Sequence, residues 1–494
     1  MIAVRTSQKR AESILALCII AGSACALWQS IDEIRLPYQI DYGEGLMLEG
    51  AARLVHGQPL YGDPRCFPHQ LHVYGPVAYF LTSLPVRMFG IDYRPARALT
   101  LLCALLSALA IAYLLRHWTG SWSIGLIFGF SFLLVPTVRT WLYLIRADFL
   151  ALSLSLIGLV IYVLRPRLWW LSIFFFMLAI YAKYTFMAAP LAVGTHLLVE
   201  KQWRRASVFC ASCLGLGILS FLLLQHASGN WFAFHMFHTH ADRYSMLQFA
   251  LLGLVVVLSA PVLIGLAVSS VWSASRSREF SLGLLFLACA LMISLTAGNL
   301  GSTTNHFLEF LAACSLCAGL GFDRLKRNQS RLQLGLALVL GATLLVPAVL
   351  QSRSNLRPDA ELSGCSDAYR YVANHAGQNV LAENLGSVML ANKTVPLTDP
   401  FVYAQLVKNK AWPDTTLVDL VRSRYFDLVV LGENPAGEQD LWPDSVLQAI
   451  RLNYQSDREF HCPHARVMLR PKSDDTPRDV RAADKAIEHS CQSQ

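Results

Sequence analysis

Charge is what this sequence has least of. Asp, Glu, Lys and Arg make up 15% of its 494 residues, hydrophobic residues make up 54%, and the mean hydropathy is positive at +0.42. That balance excludes an ordinary water-soluble enzyme, whose surface takes about a quarter of the chain as charged residues. Basic residues interleaved with aromatics are missing too, so the net charge of +8 marks no nucleic-acid surface. Metal-type cysteine spacing is absent outside the apolar runs. Cys210 with Cys213 and Cys314 with Cys317 have C-x-x-C spacing, but one helical turn in lipid suits packing better than redox chemistry. Two further absences matter. No small-residue cleavage site follows the first apolar run before Trp28, so that run reads as a retained anchor. No pair of repeated halves is found, as a transporter built from repeats would carry.

Long apolar runs dominate what is there. They lie near 13–30, 97–115, 121–138, 147–164, 168–183, 184–200, 206–225, 247–271, 279–298, 303–321 and 332–351. Each approaches the roughly 20 residues that a helix needs to cross the hydrocarbon core, giving about eleven transmembrane helices. Lys and Arg cluster in alternate connections: Arg5, Lys9 and Arg10, then Arg116, Arg165 and Arg167, Lys201, Arg204 and Arg205, Arg276 and Arg278, and Arg324 to Arg331. The positive-inside rule then puts the N-terminus in the cytoplasm, and the segment 31–96 and the polar tail after 352 outside. The pattern looks bacterial, so a multi-pass protein of the inner cell membrane is expected. On the oxidising side Cys66, Cys365, Cys462 and Cys491 could pair, Cys365 with Cys462 among the possibilities.

The segment 31–96 is too long for a plain connector, and loops of this length usually carry function. It contains Asp41-Tyr42-Gly43-Glu44-Gly45, an amphipathic stretch from Leu46 to Val55, a Gly57-Gln58-Pro59-Leu60-Tyr61 turn, and Tyr74-Gly75-Pro76 leading into apolar 77–90. That last run reads as a helix lying at the interface.

These motifs, in this order, with Glu49 to Leu54 and a helix opening at Arg94-Pro95-Ala96-Arg97, resemble the first extracytoplasmic loop of GT-C glycosyltransferases. This is the polyprenyl-phosphate-sugar-dependent class that includes protein mannosyltransferases and aminoarabinose transferases. Arg146-Ala147-Asp148, Lys183 in Ala182-Lys183-Tyr184-Thr185, and Asn305-His306-Phe307-Leu308-Glu309 extend the resemblance over roughly the first 350 residues. One departure stands at the centre. Many members carry adjacent acids, whereas here Gly43 separates Asp41 from Glu44.

The resemblance implies transfer of a sugar from a polyprenyl-phosphate donor to an extracytoplasmic lipid, glycan or protein acceptor. Such a donor is already activated, so the chemistry needs a base at the acceptor hydroxyl and positive charge at the departing phosphate. Asp41 is the first candidate for the base and Glu44 the second. Arg139, Arg146, Lys183 and Arg243 are candidates for the lipid phosphate, with Asp148, Asn305 and His306 beside them. Arg146 and Asp148 could instead form an ion pair at a helix start, and Asn305 and Glu309 could serve structure alone. No cofactor is expected beyond the donor; a divalent cation held by Asp41 and Glu44 is the alternative. His235, His238, His240 and Asp242 have ligand chemistry but no metal-motif spacing, and read as an interfacial loop. A transporter or flippase of a lipid-linked or small polar solute is the competing function.

The expected division is a transmembrane GT-C-like domain over 1–352, an extracytoplasmic α/β domain over 353–475, and a disordered tail over 476–494, rich in charge, Ser and Gln. In the α/β domain, 380–382, 427–431 and 467–469 read as strands and 386–392, 400–410 and 415–425 as helices. The Glu383-Asn384-Leu385-Gly386 turn and Asp399-Pro400 could line a binding surface, but turn chemistry explains them equally well and is the preferred reading.

Overall fold

The computed structural model describes residues 2–240, 244–277, 281–328, 339–345, 359–375, 377–432, 441–462, 464–473 and 478–492. The chain opens with α1 (Ile2–Ile34), and the following loop carries α2 (Tyr42–Val55) and α3 (Pro76–Phe89). The helix expected at 77–90 is α3, whose Pro76 opens it and whose Phe80, Leu84, Met88 and Phe89 stay exposed.

Local signals set the next boundaries. In α4 (Tyr93–Thr119) the Asp92 side chain accepts the Arg94 amide at the start, and Gly120 ends it at φ 73°, a backbone conformation that favours glycine. Then α5 (Trp122–Leu134) begins at Ser121, whose side chain accepts the Ile124 amide, and gives way at Pro136 to the single turn α6 (Pro136–Arg139). Gly125 and Gly129 let α5 lie so close to α4 that a methyl at either would overlap the carbonyls of Ala112 and Ala108. Beyond them come α7 (Ala147–Leu164), α8 (Trp169–Ala182), α9 (Ala188–Val199), α10 (Trp203–Ala227) and the short α11 (Phe232–Phe237). The bundle ends with α12 (Met246–Ser259), α13 (Pro261–Ser277), α14 (Leu282–Ser294) and α15 (Leu308–Asn328).

Among the described residues, five helical stretches are long and apolar enough to cross a membrane: Ser13–Ile34, Tyr93–Thr119, Ala147–Leu164, Trp203–Ala227 and Thr304–Leu325. The run read as one span over 247–271 is not straight: α12 and the start of α13 meet at 96°. Pro261 supplies the break, because its ring displaces the preceding turn and it has no N–H to give. The runs at 168–183 and 184–200 are short apolar helices separated by the non-helical 183–187, and 332–351 lies mostly outside the described residues. The result is a mostly helical multi-pass membrane protein, its helices more broken than apolar length alone suggests.

The carboxy-terminal region is a four-stranded sheet with helices. Strands β1 (Val380–Ala382) and β2 (Leu428–Gly432) pair in parallel, while β3 (Tyr454–Cys462) and β4 (His464–Pro471) add antiparallel, in the order β1-β2-β4-β3. Leu381 faces Val429 and Val430 faces Met468 in the register. Strand β3 escapes the sequence reading because it is an edge strand whose residues between Tyr454 and Cys462 are almost all exposed and polar. Cys365 and Cys462 form a disulfide, and Cys66 is disulfide-bonded as well. The tail expected to be disordered contains the helix Val480–Gln492. Its Ala483, Ala486 and Ile487 form one apolar stripe against the core around Trp442 and Val446, and that short stripe is outweighed in the composition by charge.

This region is stitched to the first loop. Main-chain bonds run from the His69 amide to the Pro396 carbonyl (2.8 Å) and from the Thr398 amide to the His69 carbonyl (3.1 Å), and the Thr398 hydroxyl accepts the Leu71 amide at 2.7 Å. The Gln39 side chain accepts the Gly386 amide at 2.7 Å.

Candidate active site

Helix α2 begins with a capping box. The Asp41 carboxylate accepts the Gly43 amide at 2.9 Å, and Glu44 Oε2 accepts the amides of Ile40 (2.8 Å) and Asp41 (3.2 Å). The two acids then part company. Glu44 is fully buried, and both its oxygens are taken by Arg97 on α4, Nε to Oε1 at 2.8 Å and Nη2 to Oε2 at 2.7 Å. Asp41 is part-exposed and pairs with Arg146 Nη2 at 2.5 Å.

Arg146 stands at the N-cap of α7, and its Nη1 donates to the Tyr74 hydroxyl at 2.8 Å. Burial opposes its charge, but Asp41 and Tyr74 outweigh that and raise its pKa above the ordinary arginine value. The glycine between the two acids now has a reason. A Cβ at Gly43 would collide with the Arg146 guanidinium, so an acid adjacent to Glu44 is incompatible with Arg146 lying here.

Two residues on, Asp148 accepts Lys183 Nζ at 2.6 Å, and the Asn305 side-chain amide donates to its two oxygens at 3.1 and 3.2 Å. Lys183 comes from the break between α8 and α9, and Asn305 from the turn before α15. Arg146 and Asp148 therefore do not form the helix-start ion pair that their spacing allows; each takes a partner from elsewhere in the fold. His306 Nδ1 lies 3.0 Å from the Thr296 hydroxyl.

Arg146, Lys183, Asn305 and His306 share the wall of a cavity of about 190 Å³ with Tyr42, Tyr74, Tyr184, Phe401 and Asp399. Asp399 belongs to the carboxy-terminal domain. Its Oδ1 accepts the Tyr42 hydroxyl at 2.8 Å and the Val402 amide at 3.1 Å. Burial pushes the Asp399 carboxyl above the usual carboxylate range, although these donors and the Arg146 charge pull the other way. Burial and the neighbouring Asp399 charge likewise raise the Tyr42 phenol.

The other sequence candidates lie elsewhere. Arg139 is buried on α6 and donates to Gln29 on α1 at 2.6 Å, away from this cavity. Arg243 and Asp242 fall outside the described residues. His235 is buried and structural: its Nε2 lies 2.9 Å from the Gly62 carbonyl, its Nδ1 accepts the His72 amide at 3.2 Å, and burial lowers its pKa to about 3. Its neighbour His238 stacks on Phe234. Among the described residues no group of three His, Cys, Asp or Glu could hold a metal ion. Nor do Asp41 and Glu44 fit a divalent cation, since each carboxylate is committed to its own arginine. A larger cavity, about 1390 Å³, lies at the other end of the same helices between Trp118, Arg167, Trp169, Arg204, Arg205 and Arg324, and contains none of the motif residues.

Sequence reasoning missed the part played by Arg97 and set Asp399 aside as turn chemistry. Arg97 was visible only as part of a motif, with no sign of its partner. Asp399-Pro400 has the form of an ordinary helix start, and only the fold brings it 357 positions back to Tyr42.

No family model matches the sequence, and no curated protein matches it. Similarity appears in the structure. ArnT from Cupriavidus metallidurans in the apo state superposes with a TM-score of 0.63 at 13% identity, over 91% of this chain and 97% of that one. The same protein bound to undecaprenyl phosphate gives 0.62 at 14% identity, over 92% and 98%. An Archaeoglobus fulgidus oligosaccharyltransferase tethered with an acceptor peptide gives 0.48 at 12% identity, over 92% and 74%. The chain has the GT-C fold, that of the class its first long loop resembles.

Proposed function

We propose that this protein is a membrane glycosyltransferase that moves a sugar from a polyprenyl-phosphate carrier to an extracytoplasmic acceptor. The observation that carries the proposal is the pairing of two cations on one cavity wall, each neutralised by its own carboxylate: Arg146 by Asp41 and Lys183 by Asp148. A guanidinium fork and an ammonium held in this way meet a phosphate without reorganisation, and burial strengthens the interaction. Undecaprenyl phosphate on the fold neighbour ArnT supports a lipid-phosphate donor. Positive charge at Arg146 and Lys183 then stabilises the phosphate as its bond to the sugar breaks. Asn305 and His306, on the same wall, line the path of the sugar.

Of the two acids at the start of α2, Glu44 has no access to an acceptor, and Asp41 is the part-exposed one, paired with Arg146. The disulfides at Cys66 and at Cys365–Cys462 support placing the loop and the carboxy-terminal domain, 353–475, on the oxidising face, with 1–352 as the membrane domain. The N-terminus is then cytoplasmic and the protein resides in a bacterial inner membrane.

The test is purified protein in lipid nanodiscs, offered undecaprenyl phosphate and a panel of labelled undecaprenyl-phosphate sugars. Binding of the lipid phosphate and loss of label from at least one donor are expected. Arg146→Gln and Lys183→Met should each weaken lipid-phosphate binding about tenfold or more. Wild-type protein that binds no undecaprenyl phosphate would end the proposal.

A further inference from the structure

We propose that Asp399, in the carboxy-terminal domain, is the base that takes the proton of the acceptor. The inference rests on the glycosyltransferase reading and moves the acid–base chemistry from the first loop to the other half of the molecule.

A base must face the reacting centre and keep its lone pairs out of strong ion pairs. Glu44 fails on both counts: it is sealed by Arg97. Asp41 is held by Arg146 at 2.5 Å and is not among the residues of the cavity wall. Its role is to aim Arg146. Asp399 meets both conditions. It lines the same cavity as the two cations, is 3% exposed, and accepts the Tyr42 hydroxyl and the Val402 amide, both neutral and both at Oδ1. Capping of the helix Pro400–Lys408 explains the Val402 bond. It does not explain why a phenol from α2 crosses to the same oxygen, nor why this helix start shares a cavity with Arg146 and Lys183.

The step balances as follows. The acceptor oxygen bonds to the anomeric carbon while its proton passes to the Asp399 carboxylate. The bond from that carbon to the phosphate oxygen breaks, and its electron pair stays on the polyprenyl phosphate, whose added charge meets Arg146 and Lys183. Asp399 returns the proton to water when the product leaves. A carboxyl lifted by burial is the stronger base for this task. The groups facing it are Tyr42 and Tyr74, Arg146, Lys183, Tyr184 and His306, with Glu383 close to Tyr42. The Tyr42 bond lowers its pKa and the Arg146 charge lowers it further, so removal of that bond must raise it.

Asp399→Asn separates base from scaffold, because Asn caps a helix as well as Asp and still accepts from Tyr42. In nanodiscs the variant should melt with wild type and bind undecaprenyl phosphate within about threefold. Its sugar transfer should fall by about 10²-fold or more. Tyr42→Phe should keep turnover at high pH and shift the acid limb of the rate profile upward. The idea is overturned by Asp399→Asn transferring within threefold of wild type, or by a Tyr42→Phe limb that does not move. It is also overturned by Asp399→Asn losing lipid-phosphate binding together with turnover, which would put the residue in the donor site, and by wild type that binds undecaprenyl phosphate but turns over no donor. Wild type that neither binds nor transfers is a separate failure, that of the glycosyltransferase itself.

Discussion

Glu44 and Arg97 face each other with no exposed surface on either side chain, joined by two hydrogen bonds of 2.8 and 2.7 Å. Arg97 spends its remaining donors on main-chain carbonyls at the end of α1 and just beyond it: Leu36 at 2.6 Å, Tyr38 at 2.5 Å and Glu33 at 3.3 Å. The pair fixes where α2 begins relative to α4, and so where Asp41 and Tyr42 stand. It is a structural element inside the motif that carries the resemblance.

Breaking it from one side leaves a buried charge without a counter-charge, at a cost of about 3–5 kcal/mol. Arg97→Leu should therefore lower the melting temperature of the protein in nanodiscs by many degrees. Glu44→Gln should do the same, whereas Asp41→Asn, at a part-exposed pair, should barely move it. Equal melting of all three would contradict the division of labour between the two acids.

Gly43→Ala gives the clearest separation of stability from function. Gly43 is the second residue of α2, and alanine is the better helix former, so propensity predicts a protein at least as stable. Yet the new methyl occupies the place of the Arg146 guanidinium. Undecaprenyl phosphate binding should fall about tenfold while the fold persists, as read by native mass spectrometry of protein in nanodiscs.

Lys183 and Asp148 lend themselves to a double-mutant cycle. Lys183→Met alone strands a buried carboxylate and should destabilise by about 3–5 kcal/mol. The pair Lys183→Met with Asp148→Asn removes both charges, and the amide introduced by the second substitution can still bond to Asn305. Melting should recover most of the loss. Lipid-phosphate binding should not recover, and recovery of both would mean that Lys183 serves structure alone.

Stability should depend on pH through two buried histidines. Burial first of all lowers His235 to about 3 and His69 to about 4, against about 6.5 for histidine in the unfolded chain. Below about pH 6.5 the unfolded chain binds protons that the folded one does not, so stability is full above that pH and declines as pH falls toward 4. The melting temperature should follow. His235→Gln, which can still bond to Gly62 and His72, should flatten part of the slope, and an unchanged slope would remove His235 from the explanation.

The first loop was legible because its chemistry is local. Asp41, Gly43 and Glu44 form a capping box within four residues, and Arg146, Asp148, Lys183 and Asn305 are costly polar groups at the ends of apolar runs, which makes them conspicuous. Pairings were not legible. Nothing in the composition tells that Glu44 selects Arg97 while Asp41 selects Arg146. Helix number suffered from the same limit: Pro261 was visible within its run, but the 96° bend depends on what packs around it. In the carboxy-terminal domain the buried strands β1 and β2 announce themselves by apolar content, whereas β3 is polar and exposed and is defined only by its pairing with β4.

The contact between Tyr42 and Asp399 also fixes an order of events in the life of each molecule. Ribosomes deliver the two residues 357 positions apart, with α3 to α15 made between them. Until the segment around Asp399 has been made and bonded to His69 and Leu71, the cavity lacks one wall. A chain cut short before Asp399 can still form the helices but not the complete cavity, so on the proposed reading it should bind lipid phosphate without transferring sugar.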